Sequence, residues 1–188
     1  MKLALEFALG ANKPVVIRYP KDLVPPQEYI KSACARPFKL GNSIVVRKAK
    51  DSAITIVSYG SVLTEALKAA CLLAKEGIAA DVINARFAAP VDEAISALLG
   101  TGKSIITVED HYLACGFGSA VLESIAAKAF SDKLADIRVL GAPGRFIGHN
   151  YRSLQLMEAG INAEKIAETA KEMLHLMIDT YSPSNIKY

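Results

Sequence analysis

Cysteine is scarce: Cys34, Cys71 and Cys115 are the only three in 188 residues, and no two form a C-x-x-C pair. An odd, widely spaced set argues against a disulfide framework and against a zinc site, so reduced thiols are expected. Cys71 is placed on the apolar face of a helix, and Cys115 reads as a small buried side chain. Long apolar runs are missing as well. No stretch approaches the roughly 20 residues that span a bilayer, so no membrane partner is expected. The opening MKLALEFALGANKP holds Glu6 inside its apolar part, which disfavours a signal peptide and makes the cytoplasm the expected location. Basic clustering is absent too. The 22 Lys and Arg and 19 Asp and Glu are dispersed, for a formal net charge of +3, and without a basic stripe nucleic acid is not an expected partner.

What is present is enough apolar material, 52% of positions, to bury one good core in a chain of single-domain size. Residues 1–9 read as the end of an amphipathic helix, and Pro14–Pro20, with Val15–Tyr19 at its centre, as a short β-branched strand. One helix and one strand cannot satisfy the strand's backbone groups. Met1 opening directly into that half-unit reads as the edge of a piece of a longer protein. Residues 21–42, with three prolines and no sustained period, read as a linker. A new domain is expected over residues 43–182, followed by a tail at 183–188.

That domain begins with Ser43–Arg47 and Ala53–Tyr59, two β-rich runs joined by a polar turn, which predict an antiparallel hairpin. Ser61 to Gly77 has helical periodicity, with Ser61 as a cap and Gly77 as the left-handed end. Strands at Ala80–Ala85, Ser104–Val108 and Ile137–Leu140 then alternate with helices at Val91–Leu99, Ser119–Phe130 and Ala163–Ile178. The expected fold is a three-layer α/β domain: a mostly parallel sheet of about five strands, one antiparallel, with helices on both faces.

The stretch most suggestive of chemistry is TVEDHYLACGFGSAVLE, residues 107–123, at the carboxyl end of a central strand where open α/β sheets bind ligands. A dinucleotide fingerprint fails there: Val121 stands where a third small residue is needed, and Leu140-Gly141 where an acid is needed. Gly116 and Gly118, with Ser119 beginning the helix, leave two readings open, close approach of an anion or turn geometry alone. His111 beside Glu109 and Asp110 is either a general acid–base or an interface residue. Arg145, His149, Asn150 and Arg152 form a polar loop suited to a phosphate, to an acidic partner or to water. No nucleophile–base–orienter set stands at readable spacing, and no metal-ligand pattern, so no catalytic residue is assigned in this chain.

The runs VVIRYPKD, AITIVSYGSVLTEALKAACLLAKEGIAADVINARFAAPVD and SIITVEDHYLACGFGSAV together resemble the end of the pyrimidine-binding domain plus the C-terminal domain of the transketolase-like, thiamine-diphosphate-dependent enzymes. Within that superfamily VLGAPGRFIGHNYRSLQLMEAGINAEKIAETAKEML resembles the end of the 1-deoxy-D-xylulose-5-phosphate synthases, with their G-x-P-x-R-F-x-x-H stretch. The β subunits of 2-oxo acid dehydrogenases and the transketolases are the runners-up. The resemblance implies a transferase of isoprenoid precursor synthesis that condenses pyruvate with glyceraldehyde 3-phosphate, using thiamine diphosphate and magnesium. It also makes residues 1–20 the tail of the pyrimidine-binding domain.

The family's G-D-G and Asn motif for diphosphate and magnesium occurs nowhere in these 188 residues. Neither does the part of the pyrimidine domain that carries the activating glutamate. The chain alone is therefore expected to bind no cofactor and to be inactive. Arg18 matches the family's arginine facing the sugar phosphate, although Lys21-Asp22 departs from the usual Arg-Gly. The expected role of the piece is to dock against the pyrophosphate- and pyrimidine-binding domains and to contribute to a homodimer, with Glu109, His111, Gly116, Gly118, Ser119, Arg145 and His149 as interface candidates. The alternative is a free-standing assembly module or half of a split enzyme.

Overall fold

The computed structural model describes residues 2–17, 19, 20, 23–27, 38–127 and 136–180. Arg18, Cys34, most of the expected linker, the expected helix end at Phe130 and the 183–188 tail lie outside the described residues. In chain order the elements are α1 (Lys2–Gly10), β1 (Ile44–Arg47), β2 (Ile54–Tyr59), a 3-10 turn (Gly60–Val62) leading into α2 (Leu63–Lys75), β3 (Ala80–Asn84) and α3 (Glu93–Ala97). They continue with β4 (Ser104–Tyr112), α4 (Phe117–Ala126), β5 (Ile137–Ala142), α5 (Arg152–Glu158) and α6 (Ala163–Thr180).

The strands form one five-stranded sheet in the order β1-β3-β2-β4-β5, parallel except for β1, which runs antiparallel to β3. Side chains alternate between its faces. Ile54, Ile56, Val82, Ile106 and Val108 point toward α2 and α6, where they pack on Leu73, Ile166 and Met173. Val57, Ile83 and Ile105 point the other way, onto Ile95 of α3 and Phe117 and Val121 of α4. Both faces of the central strands are covered, as parallel strands require.

The expected hairpin does not form. Both edges of β2 are taken by parallel neighbours, with Ile54 opposite Ala80 on one side and Ser104 on the other. β1 therefore pairs with the free edge of β3, with Ile44 opposite Asn84 and Val45 opposite Ile83. The connection between β1 and β2 is tied to β3 by buried Asp81. Its carboxylate accepts from Ala49 N at 2.9 Å and Lys48 Nζ at 2.7 Å, while Asp81 N donates to Ser52 Oγ at 3.1 Å. Burial pushes the Asp81 carboxyl upward, but these donors outweigh it and hold it below the usual carboxylate range.

Other expectations are corrected locally. Pro14–Ile17, Tyr19 and Pro20 carry no regular structure, because no described sheet edge lies beside them to take their hydrogen bonds. Ser61 does not cap α2; its hydroxyl is committed elsewhere. Gly77 does end that helix, at φ +78°, with Gly77 N bonded to Ala74 O and Ile78 N to Leu73 O. The buried stripe of α2 runs through Ala66, Ala69, Ala70 and Leu73, which leaves Cys71 off the stripe and exposed, its sulfur accepting from Arg47 Nη1 at 3.3 Å. Part of the loop expected around residues 141–155 is helix α5, closed by Gly160 at φ +72° with Ile161 N bonded to Leu156 O.

Candidate functional site

β4 places the acidic pair. Because successive side chains point to opposite faces, Glu109 turns into the layer under α4 while Asp110 turns toward the 3-10 turn and α5. The two carboxylates thus enter separate environments.

Glu109 is fully buried, with 0% of its surface exposed. Its carboxylate accepts from Phe117 N at 2.6 Å and Gly118 N at 2.8 Å, the first amides of α4. These donors have no partner inside the helix, and the helix dipole favours a negative charge beside them. His111 Nδ1 lies 3.2 Å from the same carboxylate. Tyr59 covers the group, stacked on Phe117 at 5.4 Å and edge-on to His111 at 5.3 Å.

The two glycines follow from this packing. A Cβ at Gly116 would lie 2.5 Å from Glu109 Oε2, and one at Gly118 would lie 2.2 Å from Val139 Cγ1 and 2.8 Å from Thr107 Oγ1. Gly116 thus leaves room for the chain's own Glu109 carboxylate, and Gly118 for the packing of α4 on Val139 and Thr107. The Phe117 and Gly118 amides are thereby taken.

Asp110 is held by a second set. Ser61 Oγ donates to Asp110 Oδ2 at 2.6 Å, and Arg152 Nη2 reaches both Asp110 Oδ2 at 3.0 Å and Ser61 Oγ at 2.5 Å. Burial alone would raise the Asp110 carboxyl, but the Ser61 hydroxyl and the Arg152 guanidinium outweigh it and hold it below the usual range. His111 Nε2 lies 3.8 Å from Asp110 Oδ1, so the imidazole sits between two carboxylates that are each engaged elsewhere. The Ser61 hydroxyl donates to Asp110 and accepts from Arg152, so both its proton and a lone pair are engaged. The arrangement braces the end of β4.

Outward, the loop presents Tyr112, Leu113 and Cys115. Cys115 is exposed at φ +59°, not buried as expected, because the turn into α4 holds it in the left-handed region on the surface. Ser119 Oγ donates back to Leu113 O at 3.2 Å and closes the loop. Of the basic residues beyond β5, Arg152 joins this site; Arg145 turns to Glu158, Nη1 to Oε1 at 2.5 Å, and His149 is exposed. Tyr59, Ser61 and Arg152 are members that sequence reasoning did not place here. The alternation at Glu109–Asp110 signals two environments, but nothing local announces a partner 42 positions away.

Among the described residues no three His, Cys, Asp or Glu side chains are grouped to hold a metal ion, and the glycine-flanked start of α4 is filled by Glu109. These residues do not fit thiamine diphosphate or its magnesium. Among the described residues no helix is long and apolar enough to cross a membrane.

The profile of the transketolase C-terminal domain matches residues 43–166. The 1-deoxy-D-xylulose-5-phosphate synthase of Magnetococcus marinus is 34% identical over 90% of this chain and 26% of its own length. That of Desulforudis audaxviator is 34% identical over 89% of the chain and 26% of its length. The chain thus spans about a quarter of the curated relatives it matches. Among solved structures, a split-gene transketolase described as an inactive β4 tetramer superposes with TM-score 0.64 at 28% identity, covering 76% of this chain and 45% of that one. A transketolase from Pichia stipitis, at 18% identity and TM-score 0.52 over 72% of this chain and 18% of that one, shares the fold.

Proposed function

Because the chain belongs to the transketolase C-terminal domain family and is similar to the synthases over about a quarter of their length, we propose that it serves as the C-terminal part of a thiamine-diphosphate-dependent enzyme making 1-deoxy-D-xylulose 5-phosphate from pyruvate and glyceraldehyde 3-phosphate in the cytoplasm. The cofactor and magnesium are held by the pyrophosphate- and pyrimidine-binding parts outside this chain. The chain alone binds no cofactor and does not turn over. Its role is to dock against those parts and to contribute to the enzyme's dimer. Arg18 is assigned to the sugar phosphate, on the resemblance of its motif.

The observation that carries this reading is the self-sufficiency of the 107–119 region. Its most anion-like cradle is occupied from within by Glu109, and its serine–carboxylate–arginine set is closed on itself. A stiff polar edge without free chemistry suits an interface. Glu109, Gly116, Gly118 and Ser119 act from the inside, with His111 braced between Glu109 and Asp110, by fixing the loop that presents Tyr112 and Leu113, while Arg145 and His149 belong to the neighbouring loop of the same edge.

The test is kinetic. In the full-length enzyme His111→Ala should lower kcat by less than about tenfold, under roughly 1.4 kcal/mol, while changing KM or dimer stability. A loss of roughly a hundredfold or more in an intact dimer is the signature of a general acid or base and would overturn the assignment. A second reading, half of a split enzyme, is favoured by the likeness to the split-gene transketolase chain. Restoration of synthase activity on co-expression with a separate chain carrying the missing domains would support it.

A further inference from the structure

No residue from Pro143 to Glu158 is buried. In α5, Leu156 packs against the core under α2 and α6 while Leu154 and Met157 are exposed, and in the loop before it Phe146 is as exposed as in an extended chain. Loop and helix are nevertheless one unit, because Arg145 pairs with Glu158 and Gln155 Nε2 donates to Gly148 O at 3.0 Å. The unit has marked ends. Gly144 lies so close to the Tyr112 ring that a Cβ would meet it at 3.0 Å, and Gly160 turns the chain at φ +72°. Between them Arg152 reaches across to the carboxyl ends of β2 and β4, with Nη2 3.0 Å from Asp110 Oδ2 and 2.5 Å from Ser61 Oγ. That edge is where open α/β sheets meet their ligands.

We propose that residues 143–158 form a strap that opens as one unit, with Arg152 on Asp110 and Ser61 as its latch, and that its opening gates access to those two side chains. Local opening is resisted chiefly by buried apolar contacts, and here that resistance is small. A helix of seven residues is unstable alone in water, so α5 keeps its form while it is fastened and loses it on release. The latch is strong enough to decide between the two states, since a charge-assisted bond from a guanidinium to a carboxylate is about twice as strong as a neutral one. It is also partly wet, with 35% of the Arg152 side chain exposed, so water replaces the contact at less cost than in a core. Closed, the strap engages Asp110 Oδ2 and the Ser61 hydroxyl. Open, it leaves both facing solvent at the end of the sheet.

Hydrogen exchange of the chain, read by mass spectrometry, tests it. Amides of residues 144–158 should exchange together and faster than those of β2 and β4. Arg152→Gln keeps a good helix former at that position and removes the latch, so strap exchange should rise by at least about tenfold, the effect of losing one hydrogen bond to a charged group. Chymotrypsin cleavage after Tyr151 should rise in parallel. Ile95→Val, in the core on the opposite face of the sheet, is the control: the open strap keeps that contact, so the substitution should speed exchange in β4 and leave strap exchange unchanged. Strap amides as slow as those of β4, strap exchange or cleavage indifferent to Arg152→Gln, or strap exchange accelerated equally by Ile95→Val would overturn the proposal. The synthase reading is judged separately, by the His111→Ala kinetics.

Discussion

Replacing Glu109 tests whether the start of α4 is braced by the chain's own carboxylate. In Glu109→Gln the shape is kept while the charge goes. Two charge-assisted bonds, from Phe117 N and Gly118 N, become at best one neutral bond, because the new amide nitrogen faces an N–H donor. Hydrogen bonds to charged groups contribute about 1.5–3 kcal/mol and neutral ones about 0.5–1.5, and a buried donor left unsatisfied costs about 1–3. The expected loss is therefore about 2–4 kcal/mol, a fall in Tm of roughly 4–16 °C for a chain of this size. Urea and thermal unfolding of the chain read it directly.

Glu109→Ala sharpens the test by opening the cradle. Its two amides then face an empty anion site at a helix N-terminus, so added formate or acetate should raise the Tm of Glu109→Ala while leaving the wild type unmoved, following the ligand linkage relation. A Glu109→Gln variant within about 0.5 kcal/mol of the wild type, the range of an ordinary surface change, would refute the reasoning. So would an alanine variant indifferent to carboxylates.

Further consequences can be checked with the same equipment. Gly118→Ala sets a Cβ 2.2 Å from Val139 Cγ1 and 2.8 Å from Thr107 Oγ1, an overpacking expected to cost about 1–3 kcal/mol in urea unfolding; a neutral outcome would mean that β5 moves away freely. Asp81, Asp110 and Asp92, which accepts from Ser43 N at 2.6 Å and Ala94 N at 2.9 Å, all have carboxyls held below their ordinary value, burial being outweighed by their hydrogen-bond donors. Their stabilisation is therefore complete above the unfolded aspartate range near pH ~3.9 and is lost as pH falls through the lower folded values. Stability measured against pH should drop on that acid side, and Asp110→Asn should lower the neutral-pH plateau while flattening the acid limb; an unchanged limb would remove Asp110 from the acid-sensitive set.

Sequence by itself determined most of the elements and their order, α5 and the run at Pro14–Pro20 excepted. Gly77 after an apolar 3.6-period stripe dictates a helix end because only glycine enters the left-handed region cheaply, and β-rich runs alternating with helical runs dictate crossovers and a mostly parallel sheet. It also placed the polar constellation at the carboxyl end of β4, since strand length and period are local properties.

Tertiary structure decided the partnerships. β1 follows the hairpin expectation in its residues but pairs with β3, because β2 has two edges and both are filled by strands that arrive later in the chain. Val15–Tyr19 has strand composition, yet a strand exists only where another backbone accepts its hydrogen bonds. Cys71 lies one position from the buried stripe of α2 and faces water. The identity of the anion at Gly116-x-Gly118 was the same kind of question. Both glycines and Glu109 are visible in the sequence, but only the return of α4 onto β4 brings the carboxylate within 2.6 Å of the amides it satisfies, and contacts between elements are fixed by packing, which no single segment encodes.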